Sequence, residues 1–402
     1  MKYVILVPDG MADLPLEELG DRTCMEAANA PNMHAIARRG IVGQARNVPK
    51  GMTPASDVAN LSILGYDPVK YYCGRGPLEA ANLGVELEEN DIAFRFNMVT
   101  VSDGKMVDYS AGHIATGETS VLVDLLNREL GSRKFSFYTG TSYRNLCVVR
   151  CDSAKEAETL SGVKCYPPHD ITDKPYAKHL PKAPELVDLM ERSKELLAHH
   201  DINKVRIDLG QNPANMIWFW GQGRLPDMPL FKDAYGISGG IISAVDLLKG
   251  MGRVLGLEVA DVPGATGYYD TNYEGKARAA LEILERRDMV FVHVEAPDEA
   301  GHNGDITAKV KAIENFDSKI TGKITKELSG RNIAYRVLIL PDHPTPICKR
   351  THTADPVPFA IAGEGIMPDD VTVFTEKSAR AGSVSLDKGS DLMKMLLKGK
   401  KS

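Results

Sequence analysis

Three short apolar runs punctuate the chain, each rich in Val, Ile and Leu and each closed by turn residues: Lys2–Val7, Met289–Glu295 and Tyr335–Leu340. Runs of this length without polar alternation suit strands buried on both faces. Between them the apolar positions recur at helical spacing, as in Ala277–Arg287 and Ile306–Leu328. Strands alternating with helices predict an α/β fold built on a doubly wound, mainly parallel sheet. The middle of the chain has a different texture. It carries shorter strand-like pieces (Ile92–Val101, Lys134–Phe137, Asn145–Val149) and Pro-Pro and Pro-Asp turns. Residues 71–235 are therefore expected to form a smaller inserted α/β domain, with 1–70 and 236–402 as the main domain. No repeat with a period of roughly 20 to 50 residues recurs, which argues against a solenoid.

Composition narrows the functional classes. With 402 residues the chain is long enough for two cores. It is 43% hydrophobic and 25% charged, as soluble globular proteins are. A formal net charge of −6 without a long basic block argues against nucleic acid as a partner. Lys398–Ser402 reads as a solvated tail. No run of about 18 apolar residues appears, so no membrane span is expected. The apolar start breaks at Pro8-Asp9-Gly10, too early for a signal sequence. Six cysteines (24, 73, 147, 151, 165 and 348) lack zinc-knuckle spacing and fit a reduced, cytoplasmic protein.

The candidate chemistry collects where the predicted strands end. Asp9 follows the first strand, Asp298 and His302 the second, Asp342 and His343 the third. Ligands of open α/β sheets gather at the carboxyl ends of strands, so residues spread over most of the chain are expected at one rim. Pro297 suits a first helical turn, which sets Asp298 and His302 at i and i+4 on one face. Either could instead be an ordinary capping aspartate or surface histidine. His352 lies nine residues beyond His343. Six Asp/His donors are too many for one tetrahedral ion and imply two. Their mixture favours Mn2+ or Zn2+ over Ca2+, with Mg2+ and Co2+ left open. Two ions a few ångströms apart suit in-line displacement at phosphorus. In Thr53–Asn60, Ser56 at a helix start offers a hydroxyl where phosphate is also welcome, although from this segment alone a plain N-cap is the better explanation of a serine there.

These residues add up to a resemblance. The chain resembles the archaeal-type, cofactor-independent phosphoglycerate mutases of the alkaline phosphatase superfamily. The similarity is carried by Val7-Pro8-Asp9-Gly10, the Ser56 segment with Leu61–Tyr66, Pro167-Pro168-His169-Asp170, Trp218-Phe219-Trp220-Gly221, Val262–Gly267, His293–Asp298 and Asp342-His343-Pro344. It implies that Asp9, Ser56, Asp342 and His343 hold one metal, and that Asp298, His302 and His352 hold the other. Ser56 would carry the phosphoryl group between 3-phosphoglycerate and 2-phosphoglycerate, and the insert would close as a lid over the substrate. Basic residues contact substrate in that family, which points to Arg144, Arg224 and Lys249. His113, His169 and Asp170 are further candidates from the insert.

A phosphatase or sulfatase would use the same metals, and some bacterial relatives are homoserine kinases. Against a kinase, the chain has no G-x-x-x-x-G-K-[ST] loop, and Gly221-Gln222-Gly223 lacks the third glycine of a kinase loop. A purely structural metal site would close its coordination without a hydroxyl.

Overall fold

The protein is described by a computed structural model covering residues 1–399; Lys400–Ser402, the end of the expected tail, lie outside the described residues. The chain divides into two compact units, Met1–Tyr72 with Asp227–Ser402, and Cys73–Pro226. Helix Phe231–Tyr235 belongs to the first of these, bonded through Phe231 N–H to the Leu255 carbonyl and through the Tyr235 hydroxyl to the Gly65 carbonyl.

The first unit is built on an eight-stranded mixed sheet. Its order is Val384–Leu386, Gly40–Ala45, Val357–Gly363, Tyr335–Ile339, Lys2–Pro8, Met289–Val294, Gly239–Ile242 and Glu258–Ala260. The three runs read from the sequence lie side by side and parallel in its middle. Only Val357–Gly363 runs antiparallel to both of its neighbours. Val4, Leu6, Val290, Val292, Val337 and Ile339 face one core, shared with helices Pro31–Arg38, Tyr273–Arg286 and Ile306–Phe316. Alternate residues Ile5, Phe291 and Leu338 are buried outside that core, so the other face is covered too. Helix Asp246–Val254 covers part of it, because a Cβ on Gly252 would sit 2.4 Å from Ile241.

The expected helix Ile306–Leu328 is two helices, Ile306–Phe316 and Gly322–Gly330, joined by a π-turn over Asp317–Thr321. The wider turn faces Asp317 toward helix Pro31–Arg38, where its carboxylate accepts from Met33 N–H at 2.7 Å and Asn32 Nδ2 at 2.7 Å.

The second unit is an antiparallel sheet around the long strand Asp91–Ser102. Arg144–Arg150 and Met216–Gly223 pair along it, with Lys105–Asp108 at its end and Phe135–Thr141 beyond Arg144–Arg150. Phe94, Phe96, Phe137, Trp218 and Phe219 fill its core. Among the described residues no helix is long and apolar enough to cross a membrane.

Candidate metal centre

Asp9 is the first residue beyond the central strand, Asp298 sits in the first turn of helix Ala296–Asn303, and Asp342 and His343 follow Tyr335–Ile339. Because their strands are adjacent and parallel, the three loops meet at one edge of the sheet. Gly10, at φ +61°, donates its N–H to Asp342 Oδ1 at 3.1 Å, and a Cβ there would lie 2.5 Å from Asp298 Oδ1. Only glycine lets the loops approach so closely.

Two overlapping groups result. Asp9, Asp342 and His343 each bring a ligand atom within 4.8 Å of the others, and so do Asp298, His343 and His352. His343 stands in both. Ser56 opens helix Ser56–Ile63, with Ala55 rather than Ser56 at the N-cap, and its Oγ lies 3.2 Å from His343 Nε2. Asn60, one turn on, donates to Asp342 Oδ2 at 2.8 Å and to the Ser56 carbonyl at 2.8 Å. His302 joins the outer group, its Nε2 2.9 Å from His352 Nε2 and 3.3 Å from Asp298 Oδ2. The Nδ1 atoms of His302 and His352 face the carbonyls of Arg350 (3.0 Å) and Pro54 (3.3 Å). Protons placed there leave both Nε2 atoms turned toward Asp298.

The charges are crowded. Burial, and then the neighbouring carboxylates of Asp342 and Asp298, push the Asp9 carboxyl well above its usual range. Burial also works against the charge of Asp342 and Asp298. His343 offsets it at Asp342, and hydrogen bonds from His302 and His352 offset it at Asp298, so both end below the usual value. The hydrogen bond with Asp298 raises His302 to about 9, while burial lowers His343. Burial opposes the charge on His352, but the bond to Asp298 leaves it raised.

Asp9 Oδ1 and His293 Nε2 are buried without a hydrogen-bond partner. Three carboxylates, three imidazoles and a hydroxyl converging around such orphaned atoms fit divalent cations.

Several residues at this site escape a reading by motif alone. His293, fully buried on Met289–Val294, points Nε2 at Asp9 Oδ2 (3.3 Å) and Nδ1 at Glu295 Oε1 (3.1 Å). Glu295 is bonded by Lys276 Nζ at 3.1 Å, Ser243 Oγ at 2.9 Å and Ala244 N–H at 3.1 Å. Burial resists its charge, yet Lys276 and His293 hold it far below the ordinary carboxylate range. His293 and Glu295 lie inside the recognised segment His293–Asp298, which was the available signal; Lys276, on a helix rich in charged residues, offered none.

The candidates from the insert, His113, Arg144, His169, Asp170 and Arg224, lie within the second unit. Arg144 opens strand Arg144–Arg150 and lies 5.5 Å over the Tyr143 ring. The rings of Tyr109, His113 and Tyr143 are mutually in contact, and His169 touches Tyr109 and Trp220. Burial lowers the His169 imidazole despite Asp170, whose Oδ1 is 3.6 Å away. Both turns beside this ring cluster hold non-glycine residues at positive φ, Ala111 and His113 in one and Ser142 in the other. Strain of that kind is retained where surrounding structure imposes it, commonly at functional surfaces. Arg224 is exposed just beyond Met216–Gly223. Lys249 is in the first unit, paired with Asp261 at 2.7 Å.

Carboxylates and imidazoles gathered beyond strand ends, with a serine at a helix start beside them, are the equipment of a metal-dependent phosphotransferase. Comparisons with known proteins give the family. A family model described as 2,3-bisphosphoglycerate-independent phosphoglycerate mutase matches residues 37–203. The chain is 53% identical over 402 residues to a protein of that name from Methanosarcina acetivorans, covering 99% of this chain and 100% of the relative. It is 47% identical over 405 residues to a probable one from Geobacter sulfurreducens, covering 99% and 100%. Among solved structures, a Pyrococcus horikoshii protein matches with a TM-score of 0.84 at 30% identity, covering 100% of this chain and 98% of that one. The cofactor-independent phosphoglycerate mutase of Thermoplasma acidophilum matches with a TM-score of 0.68 at 29% identity, covering 99% of each. This chain belongs to the 2,3-bisphosphoglycerate-independent phosphoglycerate mutase family.

Proposed function

We infer that the chain is an isomerase that interconverts 3-phosphoglycerate and 2-phosphoglycerate through a phosphoserine at Ser56. The observation that carries this reading is the position of Ser56 Oγ, 3.2 Å from His343 Nε2 at the start of a helix, beside the Asp/His groups. In the forward direction Ser56 Oγ attacks phosphorus, the bond to the C3 oxygen breaks, and that oxygen takes up a proton. The glycerate turns while held, its 2-hydroxyl attacks the phosphoserine, and Ser56 regains its proton. The N-terminus of helix Ser56–Ile63 favours the anionic phosphoryl group on Ser56.

Asp9, Ser56, Asp342 and His343 would hold one divalent ion, and Asp298, His302 and His352 the other. The donor mixture favours Mn2+. Such ions withdraw charge from phosphoryl oxygens and favour the alkoxide of the attacking hydroxyl. The Arg144, His113 and His169 surface of the second unit would hold the glycerate, with the unit acting as a substrate-binding lid that excludes water during the turn. The doubly wound layout agrees with the alkaline phosphatase superfamily resemblance of the motifs. None of the six cysteines is joined in a disulfide, which supports a cytoplasmic setting.

The test is to quench the Mn2+-loaded enzyme during turnover of 3-phosphoglycerate and map phosphorylated peptides, with product followed by phosphorus NMR. One phosphoryl group on the peptide containing Ser56 is expected. Ser56→Ala should remain folded and lose at least about a thousandfold in turnover, as removal of a nucleophile does elsewhere. Retention of about a tenth of wild-type turnover by folded Ser56→Ala would move the role to Thr53 or Ser62. Free phosphate as the sole product would make the protein a phosphatase.

A further inference from the structure

Lys309 lies in the first turn of helix Ile306–Phe316, yet its side chain is fully buried. Its ammonium donates to Asp13 Oδ2 at 2.8 Å, to the Thr345 carbonyl at 2.8 Å and to the Ala12 carbonyl at 3.4 Å. These account for all three of its protons. Every acceptor belongs to one of two loops. Ala12 and Asp13 continue the loop that begins at Asp9, and Thr345 continues the loop that begins at Asp342 and His343. Asp13 ties the loops a second time, since its Oδ1 accepts from Ile347 N–H at 3.1 Å. The Thr345 hydroxyl also donates to Asp298 Oδ1, so the same loop reaches the outer group.

A buried ion pair is a costly way to fill this space. Taking two charges out of water consumes most of their mutual attraction, and well-packed apolar side chains of similar volume commonly do as well. What an ammonium adds is geometry: three directed bonds that fix two carbonyls and a carboxylate relative to one another. We propose that Lys309 is a positioning residue for the metal centre. It clamps the Asp9 loop to the Asp342–His343 loop, so that the ligands stand at metal-binding spacing before any ion arrives. The proposal rests on the reading that these residues bind divalent ions.

Mn2+ titration of metal-free protein by calorimetry tests it, with circular dichroism to establish folding. Folded Lys309→Met should bind Mn2+ about 10–100-fold more weakly than wild type, the usual loss when a group holding metal ligands is removed. A lower melting temperature with a dissociation constant within about twofold of wild type would make Lys309 merely structural and overturn the proposal. Should Lys309→Met fail to fold, the doubly neutral Lys309→Met/Asp13→Asn variant carries the same measurement, because it leaves no unpaired buried charge. Wild type provides a test without any variant. Metal-free and Mn2+-loaded crystals should superpose over residues 9–13 and 342–347, and a rearrangement of those loops on loading would also overturn the clamp. Wild type that bound no Mn2+ would instead defeat the metal reading itself.

Discussion

The two halves of the candidate metal centre are made from the same residue types but held in different ways. The inner half, Asp9, Asp342 and His343, is essentially sealed and is held by main-chain and amide donors: Gly10 N–H and the amides of Asn60 and Asn47. The outer half is wetter, with the side chains of His302 and His352 35% and 22% exposed, and is held through histidine rings bonded to loop carbonyls. Their protons differ as well. Burial, and then carboxylate crowding, raises Asp9 in the inner half, whereas in the outer half the lone carboxylate, Asp298, raises both histidines bonded to it. An ion entering the inner half would relieve repulsion between carboxylates and compete with the proton on Asp9; one entering the outer half would compete with protons on imidazoles.

The largest expected effect tests whether the halves are unequal at all. Asp342→Asn removes a fixed, sealed candidate ligand and leaves its neighbours buried without it. Its Mn2+ affinity should fall by more than the roughly 10–100-fold that follows even from disturbing groups that merely hold ligands. His302→Ala opens a position that water reaches, so a smaller loss is expected. Calorimetric titration of both variants checks the order, and equal losses would erase the distinction between the halves.

A second test sharpens it through pH. His302, raised to about 9, is an imidazolium at neutral pH when no ion is bound. Binding through its Nε2 must release that proton, so apparent affinity in the outer half should weaken by about tenfold for each pH unit below 9. Titrations at pH 6, 7 and 8 in buffers of different ionisation enthalpy would count the protons released. A pH-independent outer affinity would remove His302 from the ligand set.

How far the sequence foreshadows this centre follows from the same physics. The three central strands are legible because burial on both faces demands unbroken apolar runs, and their ends are legible because Asp follows all three and His two of them, where ligands of open α/β sheets gather. Gly40–Ala45, Gly239–Ile242 and Glu258–Ala260 escaped notice, being short or glycine-containing and without the alternation that marks a strand. The break at Asp317–Thr321 escaped because it depends on bonds to Asn32 and Met33, far away in sequence. Lys276 and Lys309 were hidden for a related reason. On a helix, a lysine among other charged residues reads as solvated, and only tertiary packing turns these two inward.

The smallest effect on turnover should come from behind the inner half, where burial pushes the Glu376 carboxyl up to about 7 against the pull of Thr23, Asp13 N–H and Lys309. Glu376 Oε1 accepts from Asp13 N–H at 2.9 Å and Oε2 from the Thr23 hydroxyl at 2.7 Å. The group is an acid near 4.5 when unfolded and near 7 when folded, so the folded state holds its proton more tightly. The stabilisation is fully present below pH 4.5 and is lost as pH rises through 7, by about 2 kcal/mol between pH 5 and pH 7. Glutamine can replace it without charge: its carbonyl accepts from Asp13 N–H, and its amide donates to a rotated Thr23 hydroxyl. Glu376→Gln should therefore flatten the fall in stability over that range, as measured by urea unfolding at pH 5, 6 and 7 with chelator present. Chelation matters because bound ions would add their own pH dependence through His302 and Asp9 and mask the contribution of Glu376. If the variant keeps the wild-type slope, Glu376 already carries its charge at pH 5, and the inner half is backed by a second permanent ion network alongside Lys309 and Asp13.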